Sequence, residues 1–426
     1  MPTVCFHTLG CKVNQYDSQA MLELFRAAGY RAVPFPEQAD VYVINTCTVT
    51  GTGDKKSLQL LRRLLRQEPK TEVIAAGCLA QRMGEELLKT GVRLVIGNQR
   101  RGDIVSLFEK AVAEGIQINA VTPFAQTKFE RLSITSHEDH TRAVMKIQEG
   151  CDNHCTYCII PSVRGPIRSR PAEDIAQEAL ALAQAGFSEI VLTGIHLTSY
   201  GRDTGDTLLH AIQVVHDTPG IARVRLGSLE PTVVTDDFVR GLAAMPGICP
   251  QFHLALQSGS DTVLARMARK YNMKMYFAAL DRMRETFPDA AFTTDVLTGF
   301  PGETEEELQE TVAACRKAAF AKMHVFPYSP REGTKAAVMV GQLSRAEKER
   351  RARLLITLSD ELGKEYRSRF IGRDVKVLFE EIEDNVPVGY TPEYIRVKAE
   401  GGVPGTIGSV HITSLWEDGL CGTLMK

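Results

Sequence analysis

Apolar and polar positions change rhythm three times along this chain. From residue 3 to about 112, short β-rich runs alternate with helical ones: TVCFHTLG, NQYDSQAMLELFRAAG, ADVYVINT, KKSLQLLRRLLRQ, EVIAAG and AQRMGEELLKTG. Strict strand–helix alternation predicts a parallel sheet with crossover helices. The polar stretch TKFERLSITSHEDHTR then reads as a linker or connecting strand. Alternation resumes at AVMKIQ and continues through EDIAQEALALAQAG, SEIVLTG, LLHAIQVVHD, ARVRLGS, DDFVRGLAAM, FHLALQS, AFTTDVLTGFPGE and KMHVFPYS, with further helices expected near 276–287 and 305–318. These are about six βα units, enough for an open or partial (βα)6 barrel and short of the eight that close one. LSRAEKERRARLLITLSDELGKEYRSRF predicts one long helix. After Gly372, VKVLFEEI, GYTPEYIRVKAEG, GSVHITSLW and GLCGTLMK predict a small all-β domain of the five-stranded barrel type. The expected fold class is α/β with this all-β appendix, divided at 1–125, 140–345, 346–370 and 371–426.

Composition alters this picture little. A chain of 426 residues implies two or three domains, and a formal net charge of -2 describes an ordinary soluble globular protein. MPTVCFHTLGC has no basic segment leading into an apolar run, and no stretch of about 18 consecutive apolar residues occurs. No membrane partner is therefore expected, and the cytoplasm is the expected compartment. In a reducing compartment, the ten cysteines turn attention from disulfides to metals and catalysis.

Six of those cysteines form two triplets. Cys151, Cys155 and Cys158 lie in QEGCDNHCTYCIIPSVRG, a C-x3-C-x2-C loop after the first strand of the partial barrel. Structural zinc takes four ligands and would have to borrow His154 or a distant thiol. Three thiolates on one short loop instead suit an iron–sulfur cube whose fourth iron stays open. Cys11, Cys47 and Cys78 are dispersed, but each ends a predicted strand: VCFHTLGC, VYVINTC and VIAAGC. Strand ends of a parallel sheet share one edge, so these thiols either converge on a second such site or are three separate buried cysteines. Cys5, Cys249, Cys315 and Cys421 lack partners at ligand spacing and read as packing residues. His253 and His324 read as core or rim residues, and His196 stays open as a candidate.

The C-x3-C-x2-C loop on a partial βα barrel resembles the radical S-adenosylmethionine (SAM) superfamily. Within it, TLGCKVNQYDSQ, NTCTVT, AGCLAQR, KIQEGCDNHCTYCIIPSVRG, RLGSLEP, HLALQSGSDTVLARMARKY, TDVLTGFPGET and GYTPEYIRVKA make the whole chain similar to the methylthiotransferases. The resemblance implies an N-terminal domain with three cysteines, a radical SAM core and a C-terminal TRAM domain. It also implies two 4Fe-4S clusters and SAM as cofactors. Cys151, Cys155 and Cys158 would hold the cluster that binds SAM, and Cys11, Cys47 and Cys78 the auxiliary one, with no catalytic side chain beyond these ligands. Tyr157, Thr193, Gly194, Glu230, Gln257, Asp295, Leu297 and Gly299 match SAM-contacting positions. Loop ion pairs or caps account equally for Glu230 and Asp295, and a turn for Gly299.

The chemistry explains the equipment. A C–H bond on an aromatic base has no useful acidity and no leaving group, so acid–base or nucleophilic catalysis offers no route. In the family, an electron from the SAM-binding cluster splits one SAM into methionine and a deoxyadenosyl radical. A second SAM methylates a sulfur on the auxiliary cluster, and the methylthio group passes to carbon. Family substrates are the adenosine beside the tRNA anticodon, in isopentenyl or threonylcarbamoyl (t6A) form, and an aspartate of a ribosomal protein. GCKVNQYDSQ, NTCTVT and DKKS resemble the t6A group, which implies conversion of t6A at tRNA position 37 to its 2-methylthio derivative. An external electron donor and a sulfur source are implied as partners. From another class, a zinc-containing RNA-binding protein is the competing reading.

Charge placement bears on RNA. Lys55, Lys56, Arg62, Arg63, Arg66 and Lys70 face two acids in 54–70, and nine Lys or Arg face five acids in 345–373. Such runs either grip phosphates or form solvated, ion-paired helix faces. From 371 onward, five basic residues face nine acids, so RNA contact there would fall to shape and to Tyr394, Arg396, Lys398 and Trp416.

Overall fold

A computed structural model describes residues 1–67, 71–124, 128–137 and 141–425. The expected boundaries at 125 and 140, and Lys70, lie outside the described residues.

The first rhythm folds as a six-stranded parallel sheet of β1 (Thr3–Thr8), β2 (Arg31–Val33), β3 (Val41–Thr46), β4 (Glu72–Gly77), β5 (Leu94–Ile96) and β6 (Ile118–Asn119), in spatial order β2-β1-β3-β4-β5-β6. Helices α1 (Lys12–Ala27) and α4 (Ile104–Ala113) cover one face, where Val4, Phe25, Val43, Ile74 and Phe108 pack together. On the other face, α2 (Gly51–Gln67) and α3 (Cys78–Leu88) cover Tyr42, Ile44, Leu61, Ala75 and Leu87. Every residue of β3 is buried, as a sheet covered on both faces requires. The strand order sets β1, β3 and β4 side by side.

The second rhythm forms β7 (Ala143–Glu149), β8 (Arg168–Ser169), β9 (Glu189–Gly194), β10 (Arg223–Leu226), β11 (Ser228–Leu229), β12 (Gln251–Leu254), β13 (Ala291–Thr298) and β14 (Lys322–Pro327). These make two four-stranded sheets, β10-β9-β7-β8 and β11-β12-β13-β14. Gly227 alone separates β10 from β11, and Val224 bridges to Ile248 just before β12, so the two sheets continue one arc. Six parallel strands thus curve in sequence order without closing, as the six βα units predict. Outside lie α6 (Ala172–Gln184), α7 (Leu208–His216), α8 (Asp236–Ala243), α10 (Met273–Thr286) and α11 (Glu305–Ala318); two short helices, α5 (Ile160–Arg164) and α9 (Asp261–Arg266), follow strand ends. Helix α12 (Arg345–Ser368) lies along β14, where Ser359 Oγ accepts from Met323 N at 2.9 Å. The described part of the linker forms no strand. Instead it lies on α1, with Tyr16 donating to Leu132 O at 2.8 Å and Glu23 accepting from the N–H groups of Thr135 and Ser136.

The third rhythm is a closed barrel, β15-β16-β17-β19-β18, built from β15 (Asp374–Glu383), β16 (Val386–Tyr390), β17 (Arg396–Glu400), β18 (Ile407–Trp416) and β19 (Gly419–Leu424) around Phe379, Val397, Val410, Ile412 and Leu420. It is consistent with a TRAM barrel. No helix among the described residues is long and apolar enough to cross a membrane.

The two α/β units meet across buried charge. Asp17 of α1 and Glu149 of β7 face Arg101, Lys146 and Arg164, all five at most 2% exposed. Arg164 Nη1 lies 3.0 Å from both carboxylates, Arg101 reaches both, and Lys146 bonds to Asp17 and to Glu149 at 3.3 Å. Burial opposes ionisation of Asp17 and Glu149, but the three cations hold both carboxyls below their ordinary range. Because the folded values are depressed, this stabilisation is full above about pH 4.5, where unfolded carboxylates are ionised, and is lost as pH falls through the folded values. Asp17→Ala, which strands buried cations, is expected to cost about 3–5 kcal/mol in urea unfolding at pH 7. The gap from the parent should narrow on titration below about pH 4.

Candidate functional site

The C-x3-C-x2-C loop leaves the C-terminal end of β7 and is shaped by its own backbone. Gly150 has φ +75°, and a Cβ there would lie 1.8 Å from Pro166 O, so only glycine admits the turn into Cys151. Cys151 N donates to Gly165 O and Cys158 N to Cys155 O, each at 3.0 Å, while Thr156 N donates to Met267 O. The loop is thus tied to the segment after α9. Arg269 Nη1 donates to Cys155 Sγ at 3.2 Å, and its Nη2 pairs with Glu230 at 2.6 Å. Burial first, then repulsion from neighbouring thiols, pushes Cys151 up to about 11 and Cys158 up to about 12. Such thiols ionise once a bound cation supplies the missing positive charge.

The second triplet does converge. β1, β3 and β4 are adjacent, and Cys11, Cys47 and Cys78 follow their C-terminal ends. Two asparagines knit those ends. Asn14 Nδ2 donates to Leu9 O (2.7 Å) and Thr46 O (3.1 Å), and Asn45 Nδ2 to Asn14 O (2.9 Å). The Thr46 hydroxyl joins β3 to β4 by donating to Ala76 O (2.6 Å) and to the start of α3 by accepting from Ala80 N (3.2 Å). Gly77, at φ +90°, has no room for a Cβ beside Asn45 Oδ1. Burial raises Cys47 to about 11, with Cys78 and Cys11 both opposing its ionisation, so the three thiols share one electrostatic site. Arg164 Nε donates to Cys78 Sγ at 3.2 Å, and Asn98 Nδ2 lies 3.5 Å from it.

Both donor sets fit an iron–sulfur cube: three thiols per site, one of them receiving an arginine N–H, as clusters use to set their potential. Among the described residues no three His, Cys, Asp or Glu side chains gather tightly enough for a single ion. A cube differs in giving each thiolate its own iron. His154, which a zinc site would borrow, is exposed.

The two triplets are neighbours. The loop bearing Cys158 runs through Ile159 straight into α5, and Ile159 and Val163 of α5 pack on Cys78. Arg331, beyond β14, ties the auxiliary loop to the barrel through Thr48 (2.7 Å) and Asp54 (2.8 Å).

The SAM-matching residues divide. Glu230 lies among Arg269, His196 Nε2 (3.2 Å) and Asn153 Nδ2 (3.3 Å). Burial would raise its carboxyl, but the His196 hydrogen bond and the Arg269 charge hold it at about 2. Thr193 and Gly194 end β9 beside Lys146 and Gln148 of β7. Gln257 holds φ +64° and bridges β13, donating from N to Asp295 O (2.9 Å) and accepting from Leu297 N (2.8 Å). Asp295 and Leu297 are half-buried on β13, Asp295 lying 3.4 Å from His253. The Tyr157 ring packs edge-on to Phe300 at 6.4 Å, with Leu297 in the same cluster. Gly299 occupies a tight turn, φ +69°, pressed against Lys348 of α12, which accounts for its size.

Ion pairing separates the basic runs. On α12, Arg345 and Arg350 pair with Glu349 and Glu347, and past its end Arg369 and Arg373 pair with Asp289, the solvated-face alternative; Arg351 is instead buried and pairs with Glu303. On α2, Lys55, Lys56, Arg62 and Arg63 are exposed and, among the described residues, form no ion pair. On the small barrel, Arg396 and Lys398 lie 4.8 and 5.0 Å from the Trp416 ring, and Arg396 is also paired with Glu383. Tyr394 faces the partial barrel, stacked on Tyr390 at 4.7 Å.

Sequence reading passed over Arg164, Arg269, Asn98 and Asn153. Arg164 and Asn153 stand inside the quoted cysteine stretch, where a buried-cation role had no periodicity to signal it. Arg269 and Asn98 reach their cysteines only through tertiary approach.

Comparisons with known proteins agree with this architecture. Residues 3–97 match the Uncharacterized protein family UPF0004, and residues 145–315 the Radical SAM superfamily. Threonylcarbamoyladenosine tRNA methylthiotransferase MtaB of Bacillus subtilis (strain 168) is 44% identical, over 94% of this chain and 91% of its own. A tRNA-2-methylthio-N(6)-dimethylallyladenosine synthase of Frankia alni is 37% identical, over 88% and 77%. Among solved structures, the radical S-adenosylmethionine methyltransferase TsrM from Kitasatospora setae superposes with a TM-score of 0.57 at 13% identity, covering 79% of this chain and 77% of that one, which is a likeness of fold.

Arg164→Lys keeps a positive charge but loses the fork that spans Asp17, Glu149 and Cys78. Were Cys11, Cys47 and Cys78 to hold a cluster after iron reconstitution, redox titration followed by electron paramagnetic resonance would show a lower midpoint potential there, since hydrogen bonds to ligand sulfurs raise cluster potentials. The centre at Cys151–Cys155–Cys158 should titrate as in the parent.

Proposed function

The chain belongs to the radical SAM methylthiotransferases, and from that premise we infer that it converts t6A beside the tRNA anticodon into 2-methylthio-t6A. The observation that carries this reading is the pairing of two three-cysteine sites across α5. One is on the barrel's strand ends and the other is on the strand ends of the N-terminal sheet, with Arg164 six residues from Cys158 and 3.2 Å from Cys78 Sγ. Methylthio transfer needs a radical at one centre and a methylated sulfur at the other, both within reach of one carbon. The relative 44% identical over nearly the whole chain, named for threonylcarbamoyladenosine, supports t6A over the isopentenyl substrate of the 37% relative.

In this reading, residues 1–125 carry the auxiliary 4Fe-4S cluster on Cys11, Cys47 and Cys78. Residues 140–345 form the radical SAM core, with the SAM-binding cluster on Cys151, Cys155 and Cys158. The 346–370 helix leads to the TRAM barrel of 371–426. When bound, the cluster pair supplies reductive SAM cleavage, hydrogen-atom abstraction and sulfur delivery. The chain's residues do the rest. Arg269 fixes Glu230 and steadies Cys155. His196 and Asn153 hold the same carboxylate, so a ligand at this wall meets an oriented, ionised Glu230. Thr193 and Gly194 present backbone at the strand ends, while Phe300, Val263 and Met267 keep the loop's flank dry. The exposed lysines and arginines of α2 offer unpaired charge to RNA phosphates, and Trp416 with Arg396 and Lys398 offers a stacking surface. An external electron donor, a sulfur source and a cytoplasmic setting complete the reading.

Nucleoside mass spectrometry of tRNA from cells with and without the gene tests the substrate. The methylthio mark on t6A should vanish in the deletion and return with the parent gene. Loss of the mark from the isopentenyl nucleoside or a ribosomal aspartate instead would reassign the substrate. Anaerobically reconstituted protein should carry about eight irons per chain; a colourless, zinc-bound chain would sustain the RNA-binding alternative. Cys47→Ala is expected to abolish methylthio transfer while deoxyadenosine still forms from SAM. Cys155→Ala should lose both, as liquid chromatography of the reaction would reveal.

A further inference from the structure

Strand alternation in the last third of the open barrel sends one row of side chains outward and the next into the lumen. On β14, Met323 packs with Leu355, Leu358 and Leu362 of α12 in the main core, with Val325 against it, and Met323 N donates to Ser359 Oγ. Lys322, His324 and Phe326 therefore face inward. On β13, Phe292 and Val296 belong to the same outer core, which turns Thr293, Asp295 and Leu297 inward; on β12, Phe252 and Leu254 do the same for His253. Parallel register sets the inward residues side by side: His253 with Thr293, Thr293 with Lys322, Asp295 with His324, and Leu297 with Phe326.

This wall is graded along the strands. Leu297 and Phe326 stand near the C-terminal strand ends, the end from which the cysteine loop leaves β7, and Leu297 packs in the cluster that includes Tyr157 and Phe300. Phe326 is 47% exposed, and among the described residues its ring meets no other ring. Two residues deeper the wall becomes polar. Gln251 Nε2 donates to Thr293 Oγ1 (3.1 Å), that hydroxyl lies 3.2 Å from His253 Nδ1, and His253 Nε2 lies 3.4 Å from Asp295 Oδ2. The His324 ring stacks on the ring so fixed, at 6.0 Å and 26° between planes. His324 itself is exposed, and among the described residues no hydrogen bond or ion pair reaches it. A neutral imidazole placed this way offers one N–H and one lone pair to whatever enters the lumen.

We propose that the inward face of β13 and β14 holds the modified base, with Phe326 against its ring and His324 as the residue that reads its polar substituent. The proposal rests on the t6A reading. The threonylcarbamoyl substituent carries N–H, carbonyl, hydroxyl and carboxylate groups, any of which can pair with an imidazole, whereas an isopentenyl group carries none. An isopentenyl chain in the same place would cover His324 and leave its nitrogens without water or partner, a cost that the t6A substituent avoids. His253 acts as a positioning residue, since Thr293 and Asp295 orient it behind the reading ring. With its substituent directed down the wall, the base keeps its ring at the level of the cysteine loop.

The test measures binding of anticodon stem-loop RNA to the iron-reconstituted full chain, without reductant, by fluorescence anisotropy. Three RNAs are compared, bearing t6A, isopentenyladenosine or unmodified adenosine. The parent should bind the t6A RNA about tenfold or more tighter than the isopentenyl RNA. His324→Phe, at matched iron content, should lose that preference while keeping the parent's affinity for the unmodified RNA; His324→Gln, which still hydrogen-bonds, should retain most of it. Phe326→Ala should weaken both modified RNAs alike and leave their ratio unchanged. An undiminished preference in His324→Phe would overturn the proposal, as would equal weakening of all three RNAs by that variant. So would a parent that binds the t6A and isopentenyl RNAs equally, a comparison that needs no variant to fold. Selective binding of t6A RNA by the parent, lost in His324→Phe, together with an unchanged methylthio mark in the deletion strain, would uphold this subsite and refute the function assigned above.

Discussion

Asp17 and Glu149 sit where water is excluded, among the cations of Arg101, Lys146 and Arg164, and the positions of both cysteine sites follow from that arrangement. The five groups come from α1, the turn before α4, β7 and α5. None can move alone, because each displacement would strand a charge in a low-dielectric seam. The network therefore fixes the N-terminal sheet against the open barrel more strictly than apolar contact would, since apolar surfaces slide at little cost. It is a device of geometry first and of stability second.

What the seam secures is distance. α5 begins one residue after Ile159, next to the loop of the SAM-type triplet, and ends at Arg164, whose guanidinium touches Asp17, Glu149, Asn14 and Cys78. A radical generated at one centre is useful only if the sulfur donor stands close to the same carbon. The helix is short and buried at its C-terminal end, where Val163 and Arg164 meet Cys78, so it carries position between the two triplets with little play. Asn14 and Asn45, together with Thr46, do the same work on the other side, binding three neighbouring strand ends into one platform.

The small barrel contributes in a way its composition obscures. Its excess of acids argues against an electrostatic clamp, and Arg396 is indeed drawn to Glu383. Its loop from Tyr390 to Tyr394, however, reaches under the partial barrel and meets Arg142, Arg223 and Arg225 there. The domain thus packs against the N-terminal strand ends of the partial barrel, while cations without an ion pair among the described residues lie on α2.

Much of this was legible in the chain itself. Alternating strands and helices announced a parallel sheet and six βα units, because burial on both faces forces those periods on the sequence. The C-x3-C-x2-C loop was readable as a ligand loop, since ligands on one short loop meet whatever the rest of the fold does. Cys11, Cys47 and Cys78 were harder: each visibly ends a strand, but their convergence required the spatial order β1-β3-β4, which residue patterns do not encode. Arg164 and Arg269 were invisible as site residues, because a charged side chain reads as surface until tertiary packing buries it against partners far away in sequence. The sequence by itself determined the elements and the local cysteine loop, both products of short-range sterics and periodic burial. Tertiary structure alone decided which distant charges lost their water, and so which of them had to find one another.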